Sequence, residues 1–148
     1  QKSYLALGCF WKPEETFRQI SGILETEVGY AGGKNNITNY EEVCTGKTGH
    51  TETIKLTFDE KIISYEKILE VFFKIHDPTQ KDMQYPDVGT QYRSEIFYEN
   101  ENQKKIAEKY KKIFNEQFNG KIETNISEIK NYCKAEEYHQ KYIMKRNQ

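Results

Sequence analysis

Apolar residues along this chain recur with two different periods, and the switches between them outline its elements. Residues 51–58 alternate strictly: Ile54, Leu56 and Phe58 share one face, and Thr53, Lys55 and Thr57 the other. That is the period-two pattern of a half-buried strand. Residues 64–75 repeat with helical spacing, with Ser64 as a cap and Ile68, Leu69, Phe72 and Ile75 on the core side, until His76-Asp77-Pro78 ends the run. A longer helix is predicted over 101–118, capped by Asn100, striped by Ile106, Tyr110, Ile113, Phe114 and Phe118, and stopped by Asn119-Gly120. Further strands are predicted at about 3–8, 23–30, 92–98 and 122–126, and further helices at about 12–20 and 136–145. Two polar loops remain, 31–49 with four glycines and three asparagines, and 79–91. Loops of that length in a compact domain usually carry function. The order β-α-β-β-α-β followed by α-β predicts one α+β domain spanning 1–148. The expected architecture is a two-layer sandwich with helices on one face of a mixed sheet, a ferredoxin-like core and an extra α-β unit.

Composition narrows the class. With 30% charged and 14% aromatic residues the chain reads as globular, not disordered. A formal net charge of −1 gives no indication of a nucleic-acid or anionic-membrane surface. No apolar run approaches the ~20 residues of a membrane span, and no signal-peptide pattern opens the sequence, so a cytoplasmic monomer is expected. Cys9, Cys44 and Cys133 are odd in number and match no disulfide framework or zinc half-sites. A reducing compartment and at least one functional thiol fit that count. His50, His76 and His139 are scattered in sequence, and no metal site is expected.

The chemistry centres on Gly8-Cys9-Phe10-Trp11, where a strand ends in a glycine turn and a helix begins at Lys12-Pro13. A thiol at a helix N-terminus can fall from a pKa of ~8.5 to roughly 3.5–7.5. The alternative is a small apolar core residue. Glu52 has the parity of the apolar set on its strand, so its carboxylate is either wet at the rim or buried with a raised pKa. Tyr40 flanks the first loop and Asp87 and Tyr92 the second, next to strand ends.

Taken together, GCFW at 8–11, GYAGG at 29–33, NYEEVCTGKTGHTE at 39–52, SYEKILEVFFKIHDPTQ at 64–80, DVGTQYRSEIFY at 87–98 and AEEYHQKY at 135–142 closely resemble the peptide methionine sulfoxide reductase A family. The resemblance runs in family order over nearly the whole chain. It implies that Cys9 attacks the sulfoxide sulfur and becomes a sulfenic acid, and that Phe10 and Trp11 line a pocket for the sulfoxide methyl. It further implies that Glu52 gives a proton to the sulfoxide oxygen, that Tyr40 and Tyr92 hydrogen-bond it, and that Asp87 shapes the site and contacts the substrate backbone. The implied substrate is the S epimer of methionine sulfoxide, in proteins and free. The implied reductant is thioredoxin or glutathione with glutaredoxin, and no cofactor is implied.

The sequence departs from that family in three places. Lys12 follows GCFW where many members have Gly. Cys133-Lys134 precede AEEYHQ where many have an aromatic and often a Pro. The sequence as given ends at Gln148 without the Gly-rich, Cys-bearing tail that many members use to resolve the sulfenic acid. Either an external thiol reduces Cys9 directly, or Cys133 or Cys44 resolves it internally. Two other classes remain open from the residues: a thiol peroxidase using the same sulfur, and a non-catalytic module that binds oxidised methionine through the aromatic wall.

Overall fold

A computed structural model describes residues 1–147. In chain order the elements are β1 (Lys2–Leu7), α1 (Trp11–Arg18), β2 (Ile23–Ala31), α2 (Tyr40–Cys44), β3 (Thr51–Phe58), α3 (Tyr65–Lys74), β4 (Met83–Gln84), β5 (Asp87–Val88), β6 (Ser94–Tyr98), α4 (Glu101–Gln117), β7 (Asn125–Glu128), β8 (Cys133–Lys134) and α5 (Tyr142–Arg146). Three helices begin on capping side chains: Asn39, Ser64 and Asn100 accept from the backbone N–H three residues on, at α2, α3 and α4 respectively. Each cap satisfies a donor that the first turn leaves without an intrahelical partner.

The main sheet has six strands in the order β7-β6-β1-β3-β2-β8. The central strand β1 runs antiparallel to both β3 and β6, while β6 and β7 are parallel. The order β6-β1-β3-β2 is the expected split β-α-β-β-α-β core, and α4 with β7 supplies the extra unit. One face of the sheet carries the main core, in which Leu5, Leu7, Ile54 and Leu56 meet Phe17, Ile68, Leu69 and Phe72 from the helices. The other face carries a smaller cluster of Tyr4, Ala6, Ala31 and Phe97, covered by Ile129 and Tyr132 rather than by a helix. Burial on both faces explains why β1 is buried at every position after Lys2. Among the described residues, no helix is long and apolar enough to cross a membrane.

Several boundaries differ from the periodicity, each for a local reason. Alternation of Ile122, Thr124 and Ile126 suggests a strand, but pairing with β6 starts only at Asn125. Before it, the chain is held by Glu123 N–H to the Pro78 carbonyl (2.7 Å) and by the Thr124 and Ser94 hydroxyls (2.8 Å). Within α4 the buried positions are Gln103, Ala107 and Phe114, whereas Ile113 is 42% exposed. Gln103 is drawn inward because its side chain links the Glu99 N–H to the Lys2 carbonyl. Ile75 lies beyond α3 and is 36% exposed, not core. The tail is no continuous helix: a 3-10 turn at Glu137–His139 is followed by Lys141 at φ 51°, and only then by α5. The break follows from two tertiary anchors. The Gln140 amide accepts from Val28 N–H (2.9 Å) and donates to the carbonyls of Val28 (2.9 Å) and Ala135 (3.0 Å). Lys141 N–H donates to Glu14 (2.7 Å).

Gln140→Ala leaves the Val28 N–H without that partner beneath the C-terminal segment, and is expected to cost about 1–3 kcal/mol. Urea unfolding of the variant checks this; a loss below about 0.5 kcal/mol means that water replaces the amide.

Candidate active site

The site is assembled where β1 meets α1. Gly8 takes φ +89°, and a Cβ there would lie 2.6 Å from the Gln84 side chain, so the turn requires glycine twice over. The turn delivers Cys9 and Phe10 just ahead of α1, whose first N–H groups lack intrahelical partners. The Phe10 N–H donates to the Glu52 carboxyl (3.2 Å). Glu52 reaches it from the second position of β3, paired across the sheet with Tyr30.

Glu52 is 1% exposed. The rim alternative is therefore excluded, and the inward parity on β3 is borne out. Burial is the main cause that pushes its carboxyl up to about 8; the Asp87 charge adds to the rise, while the Phe10 N–H and the Cys9 thiol oppose it. Glu52 is thus a neutral, proton-carrying acid at neutral pH.

The thiol differs from the expectation of an ionised sulfur at a helix start. Cys9 is half-buried, and burial followed by the Glu52 charge pushes it up to about 12. The Trp11 N–H acts in the other direction but is outweighed. The helix dipole reaches only the first turn and is modest, whereas desolvation beside a second acid is not. Without substrate, sulfur and carboxyl both hold their protons at neutral pH.

The remaining candidates converge on this pair. Tyr92 closes a 3-10 turn at Thr90–Tyr92. Its phenol is pushed up to about 12 by burial first, then by Glu52, Cys44, Asp87 and Cys9. Tyr40 opens α2, and its phenol is raised by its bond to Cys44, by burial, and by Tyr92 and Glu52. Both phenols are therefore donors at any physiological pH. Asp87, at the start of β5, bounds with Cys9 a cavity of roughly 530 Å³ that also touches Lys12, Ile75, Gln84 and Tyr85. Phe10 lies beneath the site, 1% exposed against Tyr30 and His139. Of the sequence-predicted site residues only Cys9 and Asp87 line that cavity; Glu52, Tyr40, Tyr92, Phe10 and Trp11 lie outside its lining, and half-buried Trp11 stacks on Tyr142 at 3.8 Å between centroids.

The other cysteines differ in placement. Cys44 ends α2, exposed, beside Tyr40. Cys133 pairs with Tyr30 on the edge strand β8, and its thiol faces the Thr38 carbonyl at 3.6 Å. All three thiols are free.

A set of positioning residues escaped the sequence reading, which gave no role to the polar stretch 135–142. Glu136 accepts from the Tyr30 hydroxyl (2.8 Å) and from the Tyr40 N–H (3.0 Å), which fixes α2 over the site. Glu14 accepts from the Thr26 hydroxyl and from Lys141 N–H. His139 accepts the Trp11 indole N–H at Nδ1 (3.0 Å), which places its own proton on Nε2. Burial lowers its pKa and keeps the ring neutral for that role. Elsewhere His50 links the Gly33 N–H to the Asn35 carbonyl and braces the long loop. His76, pushed down to about 4 by burial, links Phe72 to Ser94. The available signal was that most of these residues lie in family-like stretches, AEEYHQKY at 135–142 among them, but their polar character by itself ordinarily means a solvated face.

A family profile described as peptide methionine sulfoxide reductase matches residues 1–148. A relative from Pelagibacter ubique, named peptide methionine sulfoxide reductase MsrA, is 57% identical over 142 residues, covering 96% of this chain and 97% of that protein. The crystal structure of Mxr1 from Saccharomyces cerevisiae in reduced form superposes with a TM-score of 0.95 at 38% identity, covering 100% of this chain and 86% of the other. A structure of Mxr1 in complex with Trx2 is similar at a TM-score of 0.69 and 27% identity, covering 96% and 84%.

A carboxyl whose pKa rises on folding is tolerated best below its unfolded value and destabilises progressively as pH climbs from there through the folded value. Glu52→Gln is therefore expected to stabilise the fold. The gain grows between about pH 5 and pH 8, then levels off, at roughly 1–4 kcal/mol. Urea midpoints across pH check this, and a difference that is independent of pH contradicts the buried neutral acid.

Proposed function

The chain belongs to the peptide methionine sulfoxide reductase family, and from that premise we propose that it reduces methionine sulfoxide with Cys9 as nucleophile and Glu52 as proton donor. The observation that carries the reading is a buried carboxyl, neutral to about pH 8, beside a half-buried thiol. A sulfoxide oxygen leaves sulfur only once protonated, and an ionised carboxylate cannot supply that proton.

The proposed step is balanced in protons. Glu52 gives its proton to the sulfoxide oxygen, with the Tyr40 and Tyr92 hydroxyls donating hydrogen bonds to the same oxygen. Sulfur becomes electrophilic, the Cys9 sulfur bonds to it, and the thiol proton passes to Glu52, restoring the acid. The hydroxyl then transfers to the Cys9 sulfur, forming a new sulfur–oxygen bond there, as the substrate's sulfur–oxygen bond and the transient bond between the two sulfurs both break. The products are the thioether and Cys9 sulfenic acid, two electrons having passed from the thiol sulfur to the substrate sulfur. The positive charge that develops on the substrate offsets the unfavourable ionisation of Cys9, so the thiol ionises in the complex and not before. Phe10 beneath the site and half-buried Trp11 beside it are proposed to supply the apolar surroundings of the sulfoxide methyl, and Asp87 to face the substrate backbone. The S epimer, free and in proteins, is the proposed substrate.

Recycling is proposed to use an external dithiol of the thioredoxin class. One thiol displaces hydroxide from the sulfenic acid, releasing water and forming a mixed disulfide, and the second thiol frees Cys9 as a thiol. The similarity to Mxr1, whose structure in complex with Trx2 is related to this fold, supports that partner. Of the two internal candidates, the sequence favours Cys133 over Cys44; Cys133 is half-buried with its thiol facing a backbone carbonyl, and Cys44 is exposed beside Tyr40.

Three measurements test this. Assays with the separated epimers and dithiothreitol are expected to show turnover of the S epimer only, abolished in Cys9→Ser; activity in that variant contradicts the reading. The rate is expected to fall as pH rises through about 8, as Glu52 loses its proton. Glu52→Gln is expected to lower kcat about 10²–10⁴-fold and to remove that limb. After one equivalent of sulfoxide, a peptide map separates a trappable Cys9 sulfenic acid from a Cys9–Cys44 or Cys9–Cys133 crosslink.

A further inference from the structure

Lys12 stands in an unusual place. It occupies the first turn of α1, where the positive end of the helix dipole disfavours a cation and where Glu14 and Glu15 follow as expected. Its ammonium makes no ion pair among the described residues. The side chain is exposed, and it borders the cavity that opens at Cys9. Asp87 borders the same cavity, and the two make no ion pair with each other. His76, also on the wall, is neutral at physiological pH. The cavity thus presents one cation and one anion that make no ion pair with each other, and Cys9 lies on the same wall.

A methionine sulfoxide whose sulfur meets Cys9 has three bonds between that sulfur and its Cα. That reach lets its backbone groups enter the cavity that Cys9 borders, which has a volume of roughly 530 Å³. An amide on either side of Cα is neutral and gains nothing from a lysine. A carboxylate does gain. We propose that Lys12 is a specificity residue that receives a substrate carboxylate, while Asp87 faces the nitrogen side of the same Cα. That carboxylate is the α-carboxylate of free or C-terminal methionine sulfoxide, or the side chain of an acidic residue next to the oxidised one. The inference rests on the reductase reading above. Lys12 acts on binding, not on the reacting atoms, so its effect belongs in KM.

The test compares N-acetyl-methionine sulfoxide with its N-methylamide, and two peptides carrying Asp or Asn after the oxidised methionine. The proteins are the wild type, Lys12→Arg, Lys12→Met and Lys12→Glu. The wild type is expected to favour the carboxylate over the amide by about three- to tenfold in kcat/KM, expressed in KM, with the preference shrinking at 0.5 M salt. Lys12→Arg keeps the preference, Lys12→Met erases it and Lys12→Glu inverts it. An Asp/Asn ratio that follows the same series assigns the subsite to acidic neighbours as well; a ratio near one throughout restricts it to the α-carboxylate. Equal carboxylate/amide ratios in all four proteins overturn the proposal while leaving the reductase reading intact. A wild type that turns over neither compound overturns both.

Discussion

A carboxyl group has been taken out of water at the second position of a sheet strand, and most of the site's geometry follows from that burial. Glu52 is 1% exposed on β3 beside the Cys9–Phe10 turn, near enough to Tyr40 and Tyr92 for its charge to act on both phenols, and among the described residues it meets one backbone donor, the Phe10 N–H. Ionising it there is costly, so it keeps its proton to about pH 8. The same desolvation denies the neighbouring thiol a low pKa. The resting site is therefore a pair of neutral acids, and reactivity waits for a substrate that brings its own polarised sulfur–oxygen bond. A thiol held this way is protected against indiscriminate oxidants, which attack thiolates.

Keeping this pair buried requires surroundings that do not yield. The C-terminal stretch supplies much of that support. Glu136, His139, Gln140 and the partners of Glu14 fasten it to β2, α1 and α2, and each bond ends on an element that carries or backs a site residue. The His139–Trp11 bond also explains why a buried histidine stays neutral here: a protonated Nδ1 cannot accept from the indole. Burial that serves a neutral Glu52 lowers the same ring's basicity.

Much of this was legible in the residues. The alternation on residues 51–58 located β3 to the residue and put Glu52 inward. The Gly8–Pro13 stretch located the turn that presents Cys9. The caps Ser64 and Asn100 marked two helix starts. What was not legible depends on distant partners. β8 is two residues long, too short to show any alternation, and exists because β2 has an open edge. The break at Lys141 is set by Glu14, 127 residues away along the chain. The thiol was misjudged because a helix start is visible locally, while desolvation and an adjacent carboxyl are products of the whole fold. Lys12 was visible as a departure from the family pattern, but its meaning needed the cavity it borders.

The most direct test of this account titrates the two groups themselves. Carbon-13 labelling of the glutamate side chains, with Glu52 assigned through Glu52→Gln, reads the carboxyl, and absorbance near 240 nm in a variant retaining only Cys9 reads the thiolate. The account predicts a Glu52 midpoint near pH 8 and no thiolate at neutral pH in the free protein. A Glu52 midpoint near the ordinary glutamate value of ~4.3 together with a thiolate already present at pH 7 would contradict it.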